Sequence, residues 1–223
     1  MLIKITFQFI LLIFITGILN AQDFESVEKE AERILISISD GHSVNTADLN
    51  DLKHLLSSDF DNDVIGFTLH INQQSIDSLT NHLGAFESEL KSISTDSAFV
   101  LFNDWYLHFQ NIFYEYSKQK FFASDKTKIL LFSTSMSCYC TLKMSREQTI
   151  EIVNFVRSNN NDYDYWIVDS YWYNELQIEY ETLFAPSVIV LNSVNEKIFQ
   201  IEYDKEMIIK LNEFINNNNK TKR

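Results

Sequence analysis

The chain has 223 residues, 45% of them hydrophobic and 14% aromatic, too apolar a composition for a disordered tail or a fibrous repeat. Its 31 acidic and 18 basic residues give a net charge of −13, a surface that repels phosphate backbones and argues against nucleic-acid binding. The only glycines are Gly17, Gly41, Gly66 and Gly84, so the Gly-rich phosphate loops of P-loop NTPases, Rossmann domains and kinases are absent.

Residues 1–21 read MLIKITFQFILLIFITGILNA. A basic residue, Lys4, precedes an apolar run to about Leu19, and the small Ala21 follows, which is the order of a secretory signal peptide. The run is shorter than the roughly 20 residues that span a bilayer, which weighs against an uncleaved anchor. The expectation is removal of residues 1–21 and a periplasmic or extracellular protein. No later stretch is apolar enough to span a membrane, so no stable insertion is expected after signal removal.

Residues 22–127 carry 7 basic and 18 acidic groups and read as a helical region. Val27, Ala31, Ile34, Leu35 and Ile38 form one helical stripe over Asp23 to Ser39. Thr46 is read as opening a helix with Leu49, Leu52, Leu55 and Leu56 at helical spacing. Ser75 is read as opening a helix to Ile93. Ser97 is read as opening a long aromatic helix to about Lys118, with Phe99, Phe102, Trp105, Tyr106, Phe109, Phe113 and Tyr116. That stripe is read as packing and not as a ligand platform. All five histidines (His42, His54, His70, His82, His108) lie in this region, at spacings that match no metal site. No metal site and no cofactor are indicated.

Residues 128–223 carry 10 basic and 13 acidic groups and alternate strand with helix. Lys128 to Thr134 is a continuous apolar run, as in a central strand buried on both faces. Ser135 to Cys140 is read as a turn. Ser145-Arg-Glu-Gln148 then matches a capping box opening a helix, which ends at the polar Asn159 to Asn161 run. Tyr163 to Asp169 is a second strand, and Trp172 to Leu183 a short helix with Leu176 and Tyr180 inward. Ser187 to Leu191 and Glu196 to Glu202 are two more strands, joined by a turn at Asn192 to Asn195. Asp204 caps a last helix carrying Met207, Ile208, Leu211, Phe214 and Ile215. The order β-α-β-α-β-β-α defines a mixed α/β sheet with flanking helices, preceded by the mainly helical region.

The only two cysteines, Cys138 and Cys140, sit between a strand and a helix. Partial positive charge at a helix N-terminus favours a thiolate there. The only proline, Pro186, stands directly before the third strand, a position where the missing N–H costs no ladder bond.

These residues resemble the thioredoxin fold family, over about residues 128–215: a buried strand, closely spaced cysteines, a helix, a strand, a helix, then proline before a hairpin and a last helix. In that family the proline is cis and faces the cysteines, which implies a cis Ala185–Pro186 bond beside Cys138 and Cys140. The chain departs from the family's W-C-G-P-C pattern. It reads Met136-Ser137-Cys138-Tyr139-Cys140, with no Trp, no Gly-Pro and one intervening residue instead of two. Ala185 stands where the family often has a β-branched residue. Counted from Phe132, Cys140 takes the second-cysteine position and Cys138 falls one residue late for the first.

A C-x-C disulfide closes a very small loop. It adds little loop-closure stability and is expected to be more oxidising than a relaxed structural bridge, so a structural staple is a poor explanation. Three readings stand. The first is a thiol–disulfide oxidoreductase with Cys138 as nucleophile, Cys140 as resolving thiol and Pro186 in the catalytic set, acting on protein thiols and disulfides with a separate redox partner. The second is a redox-inactive binding protein of the same fold. The third is a Cu(I) carrier using the two thiolates, flanked by Met136 and Met144. Asp169 and Glu147 are the nearest carboxylates and are expected to be solvated or capping. No histidine follows His108, so a local Cys–His protease arrangement has no support.

Overall fold

A computed structural model describes residues 24–58, 71–159 and 162–221. The expected leader (residues 1–21), His70, and Asn160 with Asn161 lie outside the described residues. The chain forms two compact units that divide between Trp105 and Tyr106.

The first unit is helical. Helix α1 (residues 24–39) buries Val27, Ala31, Ile34, Leu35 and Ile38, the stripe read from the sequence. Helix α2 is Thr46–Ser58. Its cap is Asn45 and not Thr46: the Asn45 side-chain oxygen accepts the Ala47 N–H at 2.9 Å, the role Asn fills as readily as Ser or Thr. Helix α3, Gln73–Glu89, likewise starts earlier than Ser75, because Asn72 accepts the Ser75 N–H. It buries Ile76, Leu79, Leu83 and Phe86 and stops at Glu89, short of Ile93. Helix α4, Thr95–Ile112, begins after Ser94, whose hydroxyl accepts the Ser97 N–H at 3.2 Å. In this unit Phe102 packs on Phe86 and Trp105 at 5.6 and 5.3 Å between ring centroids. The Trp105 indole N–H donates to the Leu79 carbonyl at 3.0 Å. These stripe aromatics are core, as read.

The second unit holds the sheet. The aromatic helix does not run unbroken to Lys118. It is interrupted at Phe113 (φ −94°, ψ 18°), and helix α5 follows as Tyr114–Ala123. No Pro or Gly causes the interruption. It seats Tyr114 and Phe121 in one core with Leu130, Phe132, Trp166 and Ile189, a tertiary demand that outweighs helix continuity.

The strands are β1 (Thr127–Ser133), β2 (Tyr163–Asp169), β3 (Ser187–Leu191) and β4 (Lys197–Glu202). Their order in the sheet is β2-β1-β3-β4. β1 runs parallel to β2 and antiparallel to β3, and β4 is antiparallel to β3. The apolar run of β1 is buried on both faces. Its one charged member, Lys128, is buried too, and its ammonium donates to the carbonyls of Ser124 and Lys126 at 2.6 and 3.3 Å. Burial lowers the Lys128 pKa, since the neutral amine loses less hydration.

Helix α6, Tyr139–Ser158, links β1 to β2 and begins six residues before the expected Ser145. Cys138 is its N-cap, in extended backbone, and the Cys138 carbonyl accepts the Leu142 N–H at 3.0 Å. The Ser145–Gln148 capping box is therefore not used. The Ser145 hydroxyl is buried without a hydrogen bond, and the Gln148 amide instead donates to the Asp204 carbonyl at 2.7 Å. Nothing from Tyr139 to Met144 breaks a helix, so the pattern inside it could not set its start. Helix α7, Glu175–Glu179, is shorter than Trp172 to Leu183, with Leu176 and Tyr180 buried as expected. The β3–β4 turn uses Asn195 at φ 65°, with Asn192 accepting the Val194 and Glu196 N–H groups. Asp204 accepts the Glu206 N–H at 2.8 Å ahead of helix α8, Met207–Thr221. Met207, Leu211 and Ile215 are its buried face.

Candidate functional site: a thiol pair at the start of a helix

Register brings four chain segments to one edge of the sheet. Ser133 ends β1 opposite Asp169, the end of β2. Phe132 pairs with Ser187 at the start of β3, and Ser187 pairs with Glu202 at the end of β4. The β1–α6 turn with the cysteines leaves from this edge, beside the residues that precede β3 and follow β4.

Asp169 fixes the turn. It is fully buried, and one carboxylate oxygen accepts the N–H groups of Ser135 and Tyr171 at 3.0 and 3.1 Å. The other oxygen accepts from the Asn111 amide at 3.1 Å. Asp169 is thus a loop cap as expected, and not a solvated group. Glu147 is exposed and pairs with Lys143 at 3.7 Å, one helical turn back.

Both cysteines are free and exposed, with sulfurs 2.7 Å apart. The Cys138 Sγ also lies 3.2 Å from the Thr141 hydroxyl. These neighbours lower the Cys138 pKa from 9.0 to about 7, the Cys140 thiol contributing most and the Thr141 hydroxyl next. The amides of Thr141 and Cys140 add to it, although the sulfur makes no cap hydrogen bond. Each of these groups favours the anion by presenting a positive dipole end to it. The lowered pKa raises the share of Cys138 in the thiolate, the nucleophilic form, over that of an ordinary cysteine.

The Ala185–Pro186 bond is cis, as the family resemblance implies, and Pro186 is buried. The Pro186 carbonyl accepts the Tyr203 N–H at 2.8 Å, and the Tyr203 hydroxyl lies 3.0 Å from the Thr141 hydroxyl. Pro186 is therefore joined to the thiol pair through Tyr203. Tyr203 itself sits at φ 47°, a left-handed conformation that costs a non-glycine residue about 1 kcal/mol.

Thr141 and Tyr203 are site residues that sequence reasoning missed. Thr141 had a usable signal, because it stands three residues after Cys138, the N-cap-to-N3 spacing of a capping box. Tyr203 had none. Among the described residues no three His, Cys, Asp or Glu side chains gather as a metal site.

A mixed sheet in this strand order, a helix opening on two thiols and a cis-proline before the third strand define a thioredoxin-like α/β domain carrying an adjacent cysteine pair. No family model matches the chain, nor does any curated protein match it in sequence. Among solved structures, the chain is similar to a designed protein at 15% identity and TM-score 0.35, over 46% of this chain and 86% of that one. It is also similar to a thioredoxin from Nicotiana alata at 12% identity and TM-score 0.33, over 44% of this chain and 80% of that one.

Proposed function

We propose that the protein is an exported thiol–disulfide oxidoreductase that cycles Cys138 and Cys140 between dithiol and disulfide against protein thiols. The observation that carries this reading is the thiol pair itself: two free, exposed sulfurs 2.7 Å apart at a helix start, one of them titrating at about 7. The exposed apolar side chains Met136, Trp172, Leu183 and Phe184, on the turn and loops of the same sheet edge, and Tyr139, which opens α6, favour a protein partner over a small thiol.

In the reducing direction the Cys138 thiolate attacks one sulfur of a partner disulfide, forming a mixed disulfide and releasing the other partner sulfur as a thiolate. The Cys140 thiolate then attacks the Cys138 sulfur, the second partner thiolate leaves, and Cys138–Cys140 becomes the disulfide. Two electrons pass to the partner, which takes up two protons. A dithiol protein restores the reduced pair, and the same steps run backward against a more oxidising couple. Pro186, directly before β3, completes the proposed set, tied to the thiol pair through Tyr203 and Thr141.

A redox titration with thiol trapping and mass readout tests the proposal. The expected result is a reversible Cys138–Cys140 couple with a potential well above the roughly −300 mV of inert structural disulfides. Two thiols that never pair at any poise would instead assign the fold to a binding role.

A further inference from the structure

We infer that Tyr203 is a positioning residue for the thiol pair, acting through Thr141 on the Cys138 sulfur as a two-hydroxyl relay. The inference rests on the reading of Cys138 as the nucleophile.

The geometry is a continuous chain: Tyr203 hydroxyl to Thr141 hydroxyl at 3.0 Å, then Thr141 hydroxyl to Cys138 Sγ at 3.2 Å. Protonation fixes its direction. A thiolate can only accept, so the Thr141 O–H must point at the sulfur, and the Thr141 oxygen is then free to accept the Tyr203 O–H. A protonated Cys138 can donate to Thr141, and both hydroxyls then turn about, with Thr141 donating to Tyr203. The Tyr203 hydroxyl therefore strengthens the Thr141 donor whenever Thr141 points at the sulfur, the arrangement a thiolate requires, because a donor whose oxygen is itself accepting is the more polarised.

Three further observations support a dedicated placement. Thr141 is buried, and its hydroxyl has Cys138 on one side and Tyr203 on the other. Tyr203 reaches it from a left-handed backbone (φ 47°) that tyrosine adopts at a cost. The Tyr203 N–H is bonded to the Pro186 carbonyl, which ties the relay's anchor to the strand start beside the pair. No other titratable side chain bonds to either hydroxyl among the described contacts: Cys140 faces Cys138 directly, and Glu202 turns to the Leu183 N–H and the Gln200 amide.

The test is the pH profile of iodoacetamide capture at Cys138 in the reduced full chain, read site by site by fragmentation mass spectrometry. Tyr203→Phe keeps the ring and loses the hydroxyl. It is expected to move the midpoint upward and cut capture at pH 6 roughly twofold to threefold. Thr141→Val is expected to do the same to a larger extent, and Thr141→Ser to restore the native profile. An unchanged midpoint in Tyr203→Phe overturns the relay, whatever Thr141→Val does. A Thr141→Ser profile that matches Thr141→Val also overturns it, since packing and not the hydroxyl would then set the thiol. Should Thr141→Val not fold, the Tyr203→Phe profile alone decides. The redox titration separates the two proposals: a reversible couple with unmoved profiles removes the relay and keeps the oxidoreductase, whereas moved profiles without a couple do the reverse.

Discussion

Cys140 contributes more than any other group to the lowered pKa of Cys138, so in the proposed cycle the resolving thiol would also activate the nucleophile. Cys140→Ala is expected to raise the Cys138 midpoint from about 7 toward the ordinary 9.0 and to slow its alkylation several-fold at pH 6.5, measured as above. The sign for stability follows from the same shift. A thiol whose folded pKa is depressed stabilises the fold fully above its unfolded pKa, and that contribution fades as pH falls through about 7. Urea midpoints of the reduced protein should therefore drop between pH 9 and pH 7 in the native chain and less so in Cys140→Ala. At this scale the sequence was informative about chemistry and silent about its partners. Two cysteines and one proline stood out because each is rare here. Thr141 offered only its three-residue spacing from Cys138, and Tyr203 offered nothing, because hydroxyl residues are common and their contact spans 62 positions.

The start of α6 offers a direct contest between two caps. Ser145 matches a capping box yet lies mid-helix with a buried, unbonded hydroxyl, so Ser145→Ala is expected to leave the urea midpoint unchanged or to raise it. Asn72, a working cap on α3, is expected to cost about 1 kcal/mol on replacement by Ala. A loss at Ser145 as large as at Asn72 would restore the later start. The strands were legible because apolar runs bounded by polar turns leave few alternatives, and β3 falls at Ser187–Leu191 as read. Helix starts were not. Asn45, Asn72, Ser94 and Cys138 open helices whose expected first residues lay one to seven positions later, because Ser and Thr recur inside these helices and a cap is decided by backbone angle as well as residue type.

The sheet unit begins at Tyr106, and its core includes Tyr114 and Phe121. A fragment of residues 106–223 is accordingly expected to fold alone and to titrate at Cys138 like the full chain. A fragment starting at Lys128 loses both aromatics and is expected to unfold at clearly lower urea, since removing one buried aromatic alone costs roughly 3–5 kcal/mol. Equal midpoints for the two fragments would place the aromatics outside the core. Export belongs to this scale as well. The basic, apolar, small-residue order of residues 1–21 leads to the expectation that the protein recovered from its producing cell begins at Gln22. An intact mass that retains Met1 would turn the leader into an anchor. Among the described residues no helix is long and apolar enough to cross a membrane.

The bond between Thr141 and Tyr203 has a consequence in time. Synthesis delivers the two cysteines before residue 203, and α6, a 20-residue helix, draws most of its stability from packing on the sheet. Until the last hairpin has docked, the Thr141–Tyr203 bond cannot form, and only the local neighbours Cys140 and Thr141 act on the Cys138 sulfur. Closure across 62 residues is a late, non-local step. The Tyr203 contact is thus the last part of the thiol surroundings to be completed, whereas the Cys140 and Thr141 contacts lie within the first turn of α6.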